Sequence, residues 1–243
     1  MGPTNLRLGG GIRAISLLPV LIAEDLLLLV TDDSTGKSIV GSTELEHALA
    51  GGVLLELALS GRVDVEKGKR FGRGDRVVVA DTSPTGDPVL DDALARIAEK
   101  PRKPESVVGA LRKGLRTRLY ERLADQGILR MEQGRVLGLF PSTRWPAVDS
   151  AHERQLRQAL DDALVVGIDP QPRIGAIVSL LYAIKAVPKV VGSRESKKVV
   201  QARAKAIAEG AWAATAVRKA VEAVNAATVA AVAGAAAASG SGG

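Results

Sequence analysis

The side chains able to do chemistry are few and scattered. The two histidines, His47 and His152, lie far apart with no HExxH or other paired spacing, so they do not read as a metal site. There are no cysteines, which removes thiol nucleophiles, Cys-ligated zinc, iron–sulfur clusters and disulfide scaffolds together and makes a reducing interior the simpler assumption. Gly36-Lys37-Ser38 has the ending of a phosphate-binding loop, yet the glycine such a loop needs five residues earlier is Thr31. That segment reads as a turn. Arg73-Gly74-Asp75 reads as a hairpin bend rather than an adhesion tripeptide, and Asp91-Asp92 open a predicted helix, where the macrodipole stabilises carboxylates without any catalytic role. With no G-x-S-x-G elbow either, no catalytic residue, metal ligand or cofactor is expected, and the weight falls on binding rather than catalysis.

Charge is where the sequence is informative. The 243 residues carry a formal net charge of +6, but that figure is a difference between unlike parts. Residues 101–135 carry +5, residues 185–219 carry +7, and the remainder carries −6. A basic helical face suits an anionic partner such as nucleic acid or acidic lipid headgroups, the alternative being a solvated face with no partner. Only six residues are aromatic: Phe71, Tyr120, Phe140, Trp145, Tyr182 and Trp212. Base-stacking platforms need several rings along one groove, so that mode of nucleic-acid binding is disfavoured.

The elements that must position these charges follow from periodicity and punctuation. Residues 1–20 are Gly-rich and read as a flexible leader, and order begins with the short apolar helix 21–30, which has two acids near its start. Thr43 and Glu46 have capping-box spacing and open a helix whose apolar residues Leu45, Leu49, Val53 and Leu57 recur every four. Runs 62–66 and 76–80 predict a hairpin with a cationic tip, and a rigid Pro/Gly loop hands over to a helix at 89–99. A long basic helix over 106–126 stops at Gly127. A second hairpin turns at Gln133-Gly134, and residues 141–146 form a loop holding Trp145. From Asp149 onward the chain reads as helical, broken at Asp169-Pro170 and Pro188, with the nearly polar-free run 174–186 as a central helix. Residues 211–238 are an Ala-rich helix and 239–243 a disordered tail. The expected fold is mainly α, one globular helical domain with peripheral β-hairpins, since hydrophobic residues make up 46% of the chain and no long linker divides it.

On a helix spanning 106–126, Arg112, Lys113 and Arg116 cluster through three- and four-residue neighbours. The hairpin that follows supplies Val136, Leu137, Leu139 and Phe140, with Trp145 close behind. Basic groups beside apolar ones make a peripheral-membrane device, the cations attracting acidic headgroups and the apolar groups inserting, with Trp145 at headgroup level. The competing reading packs the hairpin on the domain and Trp145 in the core. A basic helix followed by a short hairpin is also how a winged-helix nucleic-acid module reads, but a tip of VLGLF is too apolar to lie along phosphates. A protein-interaction scaffold with no lipid ligand is the remaining alternative. Arg7 and Arg13 before the apolar run 14–23 imitate a signal peptide, but Glu24 and Asp25 follow at once without a small-x-small cleavage site. No run is long enough to span a bilayer, so any meeting with a membrane is expected at its cytoplasmic surface.

Four collinear segments carry a resemblance: AEDLLLLVTDDSTG from Ala23, GGVLLELALSGRV from Gly51, DTSPTGDPVLDDAL from Asp81, and LRTRLYERLADQGIL from Leu115. Together with RIGAIVSLLYA from Arg173, they resemble the Golgi phosphoprotein 3 family over residues 21–210. The resemblance implies a mostly helical domain that binds phosphatidylinositol 4-phosphate at a basic pocket, dips a hydrophobic hairpin into the bilayer, and acts as an adaptor for protein clients. It also admits a homo-oligomer. The two helix arginines of the family pocket fall on Lys113 and Arg116, while its tryptophan falls on Gly41 and a third arginine on Ala50. Those last two departures remove a stacking wall and one phosphate fork, and lysine for arginine loses bidentate geometry. General anionic headgroup binding remains the expectation, through Arg112, Lys113 and Arg116.

Overall fold

Almost every residue of the first helix is apolar, and the structure uses all of them. The computed structural model describes residues 19–32, 34–68, 74–136, 140–148, 151–192, 196–210 and 215–240. Helix α1 (Ile22–Leu29) is buried along its whole length, Glu24 and Asp25 included. Around it lie α2 (Ser42–Leu59), α5 (Leu115–Asp125), α6 (Ala151–Asp161) and α7 (Pro172–Ala183). A helix that is apolar all round is stable only when surrounded, which is its situation here. The run 174–186 also keeps its predicted central place, with Gly175 to Leu181 buried in α7.

Helix α2 is the axis of the fold, and two adjacent glycines let helices approach it closely. A Cβ on Gly52 would stand 3.0 Å from the Ala23 Cα of α1, and one on Gly51 would stand 2.6 Å from the Val224 side chain of α10 (Thr215–Gly240). The buried residues of α10, Ala220, Val221, Val224, Ala227 and Thr228, lie in its described N-terminal half. That half packs on α2, so the Ala-rich helix is built into the domain.

The strands form two separate two-stranded pairs, the first of which adds Val63, Val65 and Val77 to the core, and the fold is mainly α as expected. Strands β1 (Val63–Glu66) and β2 (Arg76–Val79) form the antiparallel hairpin that the sequence predicts, in a register that sets Val63 opposite Val79. Helix α3 (Pro88–Ala98) follows, with Asp87 as its N-cap accepting from the Val89 and Leu90 amides. Beyond α6 the chain makes one π-helical turn (Asp162–Val166), and α8 (Val187–Val190) and α9 (Lys197–Ala208) complete the set. Pro188 sits in the first turn of α8, where a missing amide costs nothing, so it starts a helix instead of breaking one.

Four expectations need correction. The basic segment 106–126 is two helices, α4 (Pro104–Leu111) and α5, parted at Gly114, whose φ of 72° lies in the left-handed region that glycine enters freely. Thr43 does not cap α2, because the helix begins at Ser42 with Gly41 as its N-cap. In the second hairpin, β3 (Glu132–Val136) and β4 (Phe140–Arg144) pair with Gln133 opposite Thr143 and Val136 opposite Phe140. Gln133-Gly134 is therefore in a strand, and the chain reverses between Val136 and Phe140. The supposed loop 141–146 begins as strand, since each strand of a two-stranded ribbon has a free edge on which Pro141 is tolerated.

Candidate anionic headgroup site

The three predicted cations sit at the α4–α5 junction, spread over a turn. Arg112 is the C-cap of α4, Lys113 and Gly114 form the turn, and Arg116 belongs to the first turn of α5. Arg112 reaches Glu46 of α2, 3.8 Å from its carboxylate. Lys113 is exposed. Arg116 donates to the Ser42 hydroxyl at 3.4 Å, and its guanidinium carbon stands 5.6 Å from the centroid of the Tyr120 ring, within cation–π range.

Tyr120 links this turn to the hairpin. Its hydroxyl lies 3.0 Å from Thr31 Oγ1, and its ring stacks on Trp145 with centroids 5.0 Å apart. Trp145 is only 9% exposed, so the expectation of a headgroup-level ring is corrected: stacking and burial place it in the core. A Cβ on Gly36 would stand 2.7 Å from the Trp145 amide nitrogen, so the 31–38 loop closes tightly over the end of β4. The stem is further held by the Val148 amide donating to the Ile128 carbonyl and the Arg130 amide to the Pro146 carbonyl. Beyond that anchor, Met131, Glu132, Gln133, Gly134, Thr143 and Arg144 are all exposed. Val136 and Phe140 are the last paired positions before the reversal, and Leu137 and Leu139 lie outside the described residues.

The two departing positions have distinct surroundings. Gly41 is exposed, and a Cβ there would meet the Glu44 carboxylate at 2.1 Å. Ala50 is fully buried. Neither offers a cation or a ring to an anion near Arg116.

Several charged residues that sequence reasoning passed over are central to the fold. Asp25 accepts from His152 Nε2 at 2.6 Å and from Arg173 Nε at 2.9 Å, while the same guanidinium reaches Glu56 at 3.3 Å. Glu24 pairs with Arg122 Nε at 3.0 Å, and Arg122 also binds Asp87 and the Pro19 carbonyl. Burial pushes the Glu24 carboxyl up to about 7, against the opposing pull of the Leu21 amide and Arg122. His152 is raised by its hydrogen bond to Asp25. Here the histidine is a structural partner of a buried acid, and no group of side chains suited to a metal occurs among the described residues. The one available signal was an acidic pair inside an otherwise apolar helix, which demands buried partners.

The segment DTSPTGDPVLDDAL also has a structural explanation. Asp81 accepts from the Ser83 amide and hydroxyl, Arg62 pairs with Asp81 and donates to the Ser83 carbonyl, and Asp91 accepts from the Thr85 amide and hydroxyl. These bonds hold Asp81 and Asp91 below the ordinary carboxylate range. Asp92 turns outward to Arg118 at 2.9 Å and Arg96 at 3.2 Å. Its carboxyl loses hydration, yet the two arginines hold it below the ordinary value. The loop is thus a self-braced start for α3 and a source of its N-cap.

Vacuolar protein sorting-associated protein 74 of Eremothecium gossypii is 28% identical over 164 residues, covering 59% of this chain and 49% of that protein. Its namesake in Schizosaccharomyces pombe is 28% identical over 172 residues, covering 62% and 51%. The matched part thus spans about half the length of these relatives. The family model for Golgi phosphoprotein 3 matches residues 22–224, from the first residue of α1 into the part of α10 that packs on α2. The chain belongs to the Golgi phosphoprotein 3 family.

Proposed function

We propose that this chain is a peripheral membrane protein that binds anionic phospholipid headgroups through Arg112, Lys113 and Arg116. In this reading the apolar tip between Val136 and Phe140 enters the bilayer on the cytoplasmic face, and the domain serves as an adaptor for protein clients. The observation that carries the reading is the shared use of Tyr120: Arg116 stands over its ring and Trp145, at the base of the hairpin, stacks on it. Tyr120 thereby links the basic turn to the base of the hairpin, which supports their acting at one membrane surface. Each cation near an acidic surface contributes about 1 kcal/mol, and inserted apolar groups supply the second signal that stable anchoring requires. No helix among the described residues is long and apolar enough to cross a membrane.

Flotation with vesicles tests it. Wild-type protein should float with vesicles containing phosphatidylserine or phosphatidylinositol 4-phosphate, and less so as salt rises. The pair Lys113→Glu with Arg116→Glu, and separately Leu137→Ser with Leu139→Ser, should each abolish most of the binding. Wild-type protein that ignores every acidic vesicle sinks the reading, and equal flotation of the charge-reversed pair removes the proposed site.

A further inference from the structure

The basic stretch 185–219 has no part in the headgroup reading, and several of its cations are engaged within the fold. Lys189 donates to the Ile39 carbonyl at 3.0 Å, Arg203 to the Leu164 carbonyl at 3.2 Å and Arg218 to the Gly210 carbonyl at 3.1 Å. Lys205 stands 3.9 Å from Glu209. Lys185, which follows α7, is held differently. Its φ of 56° lies in the left-handed region, where every other described residue is a glycine. Its amide donates to the Tyr182 carbonyl at 3.0 Å and the Ala186 amide to the Leu181 carbonyl at 2.8 Å, a helix-end closure that glycine makes without strain. Glycine would serve this backbone better, so what lysine adds is its side chain.

That side chain lines a groove of about 570 Å³ where the end of α7 meets α8, α9 and α10. The volume is that of a small-molecule site. Pro188, Val229 and Ala233 supply apolar wall, with Val229 left 51% exposed. Tyr182, Lys185 and Gln201 supply the polar groups. The Tyr182 hydroxyl, the Lys185 ammonium and the Gln201 amide have no hydrogen-bond or ion-pair partner among the described residues, and no acid among those residues lines the groove.

Charge and polarity both constrain the ligand. One ammonium beside two neutral donors suits a singly charged head, whereas a phosphate monoester at about −1.5 to −2 exceeds the charge available. A carboxylate offers two oxygens to the three groups. An apolar wall left in water rewards an apolar body, and a ligand with no charge would cover the ammonium without replacing its hydration.

We infer that this groove binds a small carboxylic acid with an apolar body. Its carboxylate meets Lys185, Tyr182 and Gln201, and its body lies along Pro188, Val229 and Ala233. The site shares no residue with Arg112, Lys113 and Arg116 and does not depend on the membrane reading.

Calorimetric titration of the full chain, without vesicles, tests it with octanoate, 4-phenylbutyrate, octanol and octylammonium. At least one of the two carboxylates should bind, and octanol and octylammonium about tenfold or more weaker, the loss of one charge-assisted hydrogen bond. Lys185→Gly should weaken carboxylate binding about tenfold while raising the melting temperature, because glycine relieves the left-handed backbone. Lys185→Arg keeps the charge and should restore part of the loss. Val229→Glu, at an exposed position, should abolish carboxylate binding, with thermal unfolding checking that it folds. Failure of both carboxylates, equal affinity for octanoate and octanol, or unchanged affinity in Lys185→Gly overturns the site. A leucine-terminated peptide that binds more tightly with a free than with an amidated C-terminus, and more tightly than either acid, overturns the small-molecule assignment.

Discussion

The rings of Tyr120 and Trp145 lie within 5° of parallel with their centroids 5.0 Å apart, joining α5 to the end of the second hairpin. Tyr120 also meets Thr31 through its hydroxyl and Arg116 across its ring. Three elements distant in sequence, the end of α1, the basic turn and the hairpin stem, are therefore fixed by one side chain. In a chain with six aromatic residues, two are spent on this joint.

Removing the stack should cost stability. Trp145→Ala deletes a buried ring and is expected to destabilise by about 3–5 kcal/mol, measured by urea unfolding. Tyr120→Phe keeps the ring and loses only the hydroxyl contact to Thr31, for about 1 kcal/mol. A Trp145 that met lipid instead of Tyr120 would leave the first variant within about 0.5 kcal/mol of wild type.

Two glycines separate backbone strain from steric clash. Both Gly36 and Gly114 have positive φ, but a Cβ at Gly114 meets nothing within 4 Å, whereas one at Gly36 meets the Trp145 backbone at 2.7 Å. Gly114→Ala should cost only the left-handed penalty, about 1–2 kcal/mol. Gly36→Ala should cost more and disturb the hairpin stem. Equal losses in thermal unfolding would count against the clash.

Much of the fold was legible because burial leaves a period. The helix α2, the strand pair β1–β2, α3 with its acidic start, and the central α7 all follow from apolar spacing and turn residues. The break at Gly114 was not, because Arg112, Lys113 and Arg116 fit a helical spacing whether or not the chain turns between them. The second hairpin was misread for a related reason: Gly134 and Pro141 are turn-forming residues, yet each also fits a two-stranded ribbon. Of the candidate site, the cations were visible as charge. The pairings that decide which are available, Arg112 to Glu46 and Arg118 to Asp92, join separate helices and leave no local pattern.

Arg122 supports two buried acids at once. Its side chain is 12% exposed and pairs with Glu24 and Asp87 at 0% and 8%. Arg122→Leu strips both carboxylates of their cation in a dry site and should destabilise by about 3–5 kcal/mol at neutral pH. Because Asp87 also caps α3, helix content should fall in the same variant, read by circular dichroism. A loss near 1 kcal/mol would show that water replaces the guanidinium.

Glu24 makes stability depend on pH in a direction opposite to ordinary acid unfolding. Its carboxyl ionises near 4.5 in the unfolded chain and near 7 in the folded protein, because burial disfavours the charge. Between those values the folded state holds a proton that the unfolded state has lost. This contribution is complete below pH 4.5 and is lost as pH rises through 7, about 3 kcal/mol in all. His152 acts in the same sense, since Asp25 raises it above 6.5 and its contribution fades as pH rises through the raised value. Glu24→Gln removes the first titration and keeps a neutral side chain of nearly the same shape. Urea unfolding from pH 5 to 8 should show wild-type stability falling relative to Glu24→Gln, the gap widening until about pH 7 and then levelling. Parallel curves across that range would mean that Glu24 stays charged in the folded protein, with Arg122 outweighing the cost of burial.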